Sequence, residues 1–168
     1  GWLACNDEDL YRQFCEKVVV YEGLHTYGGM AGRDMAAMAQ GIVESVDDHH
    51  QQSRVLQVHY LGKLLQQYGI PLVHPFGGHA IFINARKFLS HLDQNEFPAQ
   101  TLAAEIYIDS GCRSMERGIV SAGRNKETGE HNPTKLELVR LTIPRRVYTQ
   151  SHMDVVAYSI HNVYDKRE

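Results

Sequence analysis

Apolar residues recur at helical spacing in some stretches of the chain and alternate at strand spacing in others. Leu10, Phe14 and Val18 repeat every fourth residue, and Asn6 is placed to cap a helix whose first turn holds Asp7, Glu8 and Asp9. That helix ends before Gly23. A second begins near Asp34, with Met35, Met38, Ile42 and Val46 on one side. A longer one covers roughly 48–68: Val55, Val58, Leu61, Leu65 and Tyr68 fall three and four apart, and Gly69 stops it. The pattern then changes. Residues 70–74 and 79–84 read as two strands joined by a Gly77-Gly78 turn. Pro98 opens a helix over 99–110, with Leu102, Ile106 and Tyr107 inward and Gly111 at its end. Residues 112–120 are a third strand candidate, and 121–134 are an exposed excursion dense in turn formers. A last helix carries Met153, Val156, Ile160 and Val163 on one stripe, with Ser151 as its cap and Asp154 three residues on.

Between the excursion and that helix lies the run Lys135-Leu-Glu-Leu-Val-Arg-Leu-Thr-Ile-Pro-Arg-Arg-Val-Tyr148. Val139, Leu141 and Ile143 share one parity, whereas Leu138, Arg140 and Thr142 share the other. Arg140 therefore points away from the aliphatic face. Arginine is rarely buried without a partner, and its guanidinium is a rigid two-pronged donor for a carboxylate. The partner is either an internal Asp or Glu or the carboxylate of a small ligand; the internal pair is the commoner outcome for an isolated arginine. Hairpin-joined strands with helices on one face make an α+β arrangement.

Composition narrows the picture. A chain of 168 residues, 43% hydrophobic, supports one domain or one and part of another. Its net charge of -3 gives no electrostatic case for nucleic acid. No apolar run approaches the roughly 18 residues of a membrane span, so neither nucleic acid nor membrane is expected as a partner. The first residues lack a signal-peptide pattern, and the chain does not begin with Met. The three cysteines, Cys5, Cys15 and Cys112, have no zinc or redox spacing, and reduced thiols in a cytoplasmic setting are the expectation. Ten histidines show no ligand spacing, so no metal site is expected among them. The loop Gly23-Leu-His-Thr-Tyr-Gly-Gly29 allows close backbone approach, but no nucleotide-binding glycine pattern is present. Standing alone, it reads as a plain helix-to-helix connection.

Several short segments occur in one order: Thr26-Tyr-Gly-Gly29, Gly32-Arg-Asp34, Gly77-Gly-His-Ala80, Phe97-Pro-Ala-Gln100, Ser114-Met-Glu-Arg-Gly118, Ala122-Gly-Arg-Asn125, Leu141-Thr-Ile-Pro144 and His152-Met-Asp154. Together they closely resemble the aromatic amino-acid β-eliminating lyases, the family of tyrosine phenol-lyase and tryptophanase, along essentially the whole chain. The resemblance implies the aspartate-aminotransferase-like architecture of pyridoxal-phosphate (PLP) fold type I. Residues 1–45 would be the helical tail of the large PLP-binding domain, and 46–168 an incomplete small C-terminal domain. It also implies a PLP-dependent carbon–carbon lyase that releases pyruvate, ammonia and phenol or indole from an aromatic amino acid. A monovalent cation, usually K+, supports such enzymes, which are tetramers.

Carried over by motif, Arg140 would grip the substrate α-carboxylate, holding the Cα–H bond perpendicular to the cofactor ring. Arg117 would face the phenol oxygen and stabilise phenolate character, with Met115 beside the same ring. Taken alone, Arg117 reads as a surface arginine or one paired with Glu116, and Met115 as core packing. Tyr27, Gly28 and Gly29 are weak candidates for cofactor contacts. Arg117 leans toward phenol as the leaving group, because tryptophanases usually have an apolar residue there; the segment Tyr148-Thr-Gln-Ser-His152 leans slightly toward indole. The Ser-x-Lys-Lys-type segment that carries the family's Schiff-base lysine has no counterpart here. Lys17, Lys63, Lys87, Lys126, Lys135 and Lys166 all lie in surface-like contexts. No catalytic residue is therefore assigned, and the chain is expected to be an inactive piece of an active parent. A catalytically silent binding or assembly module is the alternative from another class. Residues 1–45 should leave Leu10, Phe14, Val18 and the methionine stripe partly exposed.

Overall fold

The structure is a computed structural model and describes residues 3–144 and 146–167. The chain divides into two compact units, Gly1–Gln51 and Gln52–Glu168.

The first unit contains α1 (Glu8–Tyr21), α2 (Gly32–Glu44) and the start of α3 (Asp48–Gln67). Asp7, rather than Asn6, caps α1: its extended backbone lets Oδ1 accept from the Leu10 amide at 2.7 Å. The second helix starts at Gly32, two residues before Asp34, which falls in its first turn. Among the described residues of this unit none is buried. Leu10 is 39% exposed, and Phe14, Val18 and Met38 are half-buried.

The second unit is built on three antiparallel strands in the order β1–β3–β2, where β1 is Ala80–Asn84, β2 is Met115–Arg117 and β3 is Leu138–Thr142. Phe82 stands opposite Arg140 and Ile83 opposite Val139. Met115 stands opposite Arg140 from the other side, and Arg117 opposite Leu138. Strand parity sorts the side chains. Ile81, Ile83, Val139 and Leu141 enter one core, joined by Val58, Leu61 and Leu65 of α3, Ala85 and Phe88 of the one-turn α4 (Ala85–Phe88), Leu102 and Ile106 of α5 (Pro98–Ser110), and Met153, Ala157, Ile160 and Val163 of α7 (Gln150–Asp165). The middle of each predicted stripe is buried, whereas Val55 and Tyr68 at the ends of the α3 stripe are 37% and 36% exposed and Val156 of α7 is half-buried. Gly62 allows α3 to approach the sheet: a Cβ there would lie 2.6 Å from the Phe76 ring and 2.9 Å from Ile81 Cδ1.

Four sequence expectations need correction here. Residues 70–74 form no full strand; the Leu72–Ile83 bridge, with the Val73 N–H donating to Phe82 O (2.9 Å) and the Asn84 N–H donating to Pro71 O (2.8 Å), pairs this segment with β1. The candidate strand over 112–120 is cut to 115–117. Its last part turns into the one-turn helix α6 (Ile119–Ala122), because buried carboxylates accept the first amides of that turn. Tyr107 faces outward, 58% exposed. Thr149 rather than Ser151 caps α7, and His152 Nδ1 accepts back from the Thr149 amide at 3.1 Å. Asp154 is instead bonded to the Tyr60 hydroxyl at 2.5 Å.

The overall class is α+β, as expected. Among the described residues no helix is long and apolar enough to cross a membrane.

Candidate functional site

The face of the sheet opposite the core carries Ala80, Phe82 and Asn84 of β1, Leu138, Arg140 and Thr142 of β3, and Met115 and Arg117 of β2. Ala80 is buried; the others are half-buried or exposed. Three residues singled out by sequence thus arrive on one surface. Met115 and Arg140 are directly opposite across the β2–β3 ladder, which places their Cβ atoms within about 4.5–5.5 Å of each other. Arg117 lies two residues along the same strand, on the same side.

Arg140 is half-buried, and its Nε is shielded from solvent without a hydrogen-bond partner. Among the described residues no carboxylate pairs with its guanidinium. An unmatched buried donor of this kind costs roughly 1–3 kcal/mol until an acceptor arrives. The arrangement suits a planar, two-oxygen anion. Phe82 flanks Arg140 on the β1 side; sequence reasoning missed it, although the period-two pattern of 80–84 held the signal.

Arg117 is exposed and does not pair with Glu116, because alternation sends the Glu116 side chain to the buried side. There Glu116 Oε2 accepts from the Ser121 amide at 2.9 Å and from its hydroxyl at 2.6 Å. Met115 is 43% exposed, so it is not core packing within this unit.

A second carboxylate lies under the same strand end. Glu137 is 1% exposed, and its Oε1 accepts from the Ile119 amide (2.9 Å), Gln94 Nε2 (2.8 Å) and Thr134 Oγ1 (3.0 Å). Sequence reasoning assigned it no role. The signal was available, since Glu137 shares the inward parity of Val139 and Leu141.

Tyr27, Gly28 and Gly29 belong to the first unit. The amides of Tyr27 and Gly28 both donate to Leu24 O, at 3.1 and 2.6 Å. Gly29 has φ 73° and lies against Glu22 O, where any Cβ would overlap. The glycines here close the loop on its own backbone, and two of its amides are already engaged. An apolar groove of about 780 Å3 runs beside this loop, lined by Phe14, Val18, Met35, Met38 and Ile42 among others.

The chain matches the family model described as "Beta-eliminating lyase" over residues 3–159. It is 62% identical over 168 residues to a tyrosine phenol-lyase of Nostoc punctiforme, covering 100% of this chain and 36% of that protein. It is 61% identical to the tyrosine phenol-lyase of Symbiobacterium sp. and 60% identical to that of Pasteurella multocida, in each case covering 100% of this chain and 37% of the relative. The chain thus spans little more than a third of the length of these relatives. Identity of this order over the whole chain exceeds what a shared architecture produces by itself, and the chain belongs to the beta-eliminating lyase family.

Proposed function

We propose that this chain is the amino-acid-binding portion of a PLP-dependent lyase that splits tyrosine into phenol, pyruvate and ammonia. The observation that carries the proposal is the half-buried Arg140, with an unpartnered Nε, on the same open sheet face as Met115 and Arg117. Arg140 holds the α-carboxylate of the substrate in a bidentate pair and so orients the amino acid. Arg117, one strand away, faces the phenol oxygen and favours the anionic character that develops as the ring departs. Met115, between them, packs against the aromatic ring.

PLP, when bound, withdraws the electrons left on the amino acid as its bonds break. The unpartnered guanidinium fits a substrate carboxylate in such an enzyme. Tyr27, Gly28 and Gly29 fit the cofactor's phosphate less well, since two of their amides already donate within the loop. The Schiff-base lysine is assigned to no position of this chain. Residues 1–45 are read as the helical tail of a large cofactor domain and 46–168 as most of a small one, in a parent that assembles as a tetramer and is supported by K+.

The test uses the complete parent polypeptide, purified with PLP, and follows pyruvate formed from tyrosine and from tryptophan. Arg140→Ala should lower kcat/KM for tyrosine by about 10- to 100-fold, the value of a charge-assisted hydrogen-bonded pair. Arg117→Ile should depress phenol release while sparing indole release. No pyruvate from tyrosine, or an Arg140→Ala variant as active as the parent, would refute the proposal.

A further inference from the structure

We infer that Glu137 is a positioning residue for Arg117: its buried carboxylate holds the turn between β2 and α6 and thereby sets where the Arg117 side chain stands on the open face. The inference rests on the proposed role of Arg117 and extends it to a residue that touches no substrate.

β2 is three residues long, so its own ladder constrains its end weakly. Arg117 is its last residue, and the chain turns immediately into α6 through Gly118. Glu137 grips this turn from beneath. Its Oε1 accepts from the Ile119 amide, the second amide after Arg117, at 2.9 Å. The same oxygen lies 2.8 Å from Gln94 Nε2 and 3.0 Å from Thr134 Oγ1, which join the grip to the 3-10 turn Gln94–Glu96 and to the end of the 121–134 excursion.

Gly118 lies directly on the carboxylate: an added Cβ would be 2.5 Å from Glu137 Cδ. Glu116, on the other side of Arg117, is tied to Ser121. Arg117 is therefore bracketed by two residues anchored on the buried side, and its side chain is left to project from the opposite face. A buried carboxylate without a paired cation is costly to keep. Oε2 of Glu137 is buried with no partner. An apolar side chain of similar size would remove that cost but could not accept from Ile119, Gln94 and Thr134 together.

The experiment compares two substrates on the complete, PLP-loaded parent protein. Tyrosine needs a group opposite its phenol oxygen. 3-Chloroalanine carries the same α-carboxylate for Arg140, but its chloride departs as an anion without help from Arg117. Glu137→Gln should lower kcat/KM for tyrosine by about tenfold while changing that for 3-chloroalanine by less than about threefold. In an Arg117→Ile background, Glu137→Gln should add little further loss on tyrosine, because both changes remove the same contribution. Should Glu137→Gln fail to fold, Gln94→Ala, which withdraws one donor from the same oxygen, must show the same ordering of the two substrates. Equal losses on both substrates, no loss on tyrosine, or full additivity with Arg117→Ile would overturn the inference. Parent protein that eliminates chloride but releases no phenol would remove the tyrosine reading itself, and the inference with it, before any variant is compared.

Discussion

At the scale of single residues, the site depends on which charges find partners inside the chain and which do not. Arg140 has an unpartnered Nε, whereas Glu116 and Glu137 bind backbone amides through one oxygen each. Glu116 Oε1 and Glu137 Oε2 are also buried without a partner, but both lie on the core side, whereas Arg140 stands on the open face where a ligand can reach it. The outward direction of Arg140 was legible from the parity of 138–142, and Glu137 could have been read as inward by the same rule. Its partners could not: Gln94 lies 43 positions away in sequence, and no local spacing announces that meeting. Gly118 owes its identity to the same contact. Its φ of -153° lies outside the left-handed region that favours glycine, and the space taken by the Glu137 carboxylate is what a side chain would meet. Gly118→Ala should destabilise the protein by about 1–3 kcal/mol through overpacking against Glu137, read as a lower urea midpoint at unchanged slope. An unchanged midpoint would mean that the carboxylate yields freely.

At the scale of elements, α3 and α7 are joined by polar as well as apolar contacts. Tyr60 donates to Asp154 at 2.5 Å and accepts from Gln150 Nε2 at 2.9 Å, and the Tyr68 and His161 rings stack with centroids 4.3 Å apart. The hydrogen bond to Asp154 holds the Tyr60 hydroxyl above its ordinary value, with the Gln150 donor opposing it. Because the folded value is raised, this contribution to stability is fully present below the unfolded tyrosine value of about 10 and is lost as pH rises through the folded one. Asp154→Asn should therefore bring tyrosinate absorbance of Tyr60 on at lower pH, measured against a Tyr60→Phe reference. An unmoved titration would mean that the bond does not persist in solution. The Asp154 bond also bears on where α7 begins. Ser151 and Asp154 looked like a capping box, but the helix opens at Thr149, where His152 bonds back, and Asp154 is engaged across the helix pair. Phe97 is a similar case. It takes left-handed backbone, φ 57°, between the 3-10 turn and Pro98, with its ring 5.1 Å from His131. A tertiary contact accompanies a conformation that few bulky residues adopt.

At the scale of the whole molecule, the two units differ in how much they bury. The second, among its described residues, has a continuous core drawn from its helices, its sheet and their connections, from Val58 at 0% to Val163 at 9% exposure. The first, among its described residues, buries none and presents Leu10, Val19, Val20, Ile42 and Val43 at 39–73% exposure. Apolar patches beyond a few hundred Å2 drive association. The 168-residue chain should therefore bind a hydrophobic dye strongly and self-associate with rising concentration, and Val20→Lys together with Ile42→Lys should weaken both effects. Monomeric behaviour without dye binding would contradict this.

The sequence by itself determined the α+β class, the buried middle of the stripes of α3, α5 and α7, the outward face of Arg140 and the family kinship, because each depends on local period or on ordered short segments. Tertiary structure decided that β2 ends at Arg117, that Glu116 and Glu137 bind amides and leave both arginines without a carboxylate partner among the described residues, and that Met115 stands beside Arg140. Those outcomes depend on strand register and on contacts between residues far apart in the chain, which a period of two or of 3.6 does not encode.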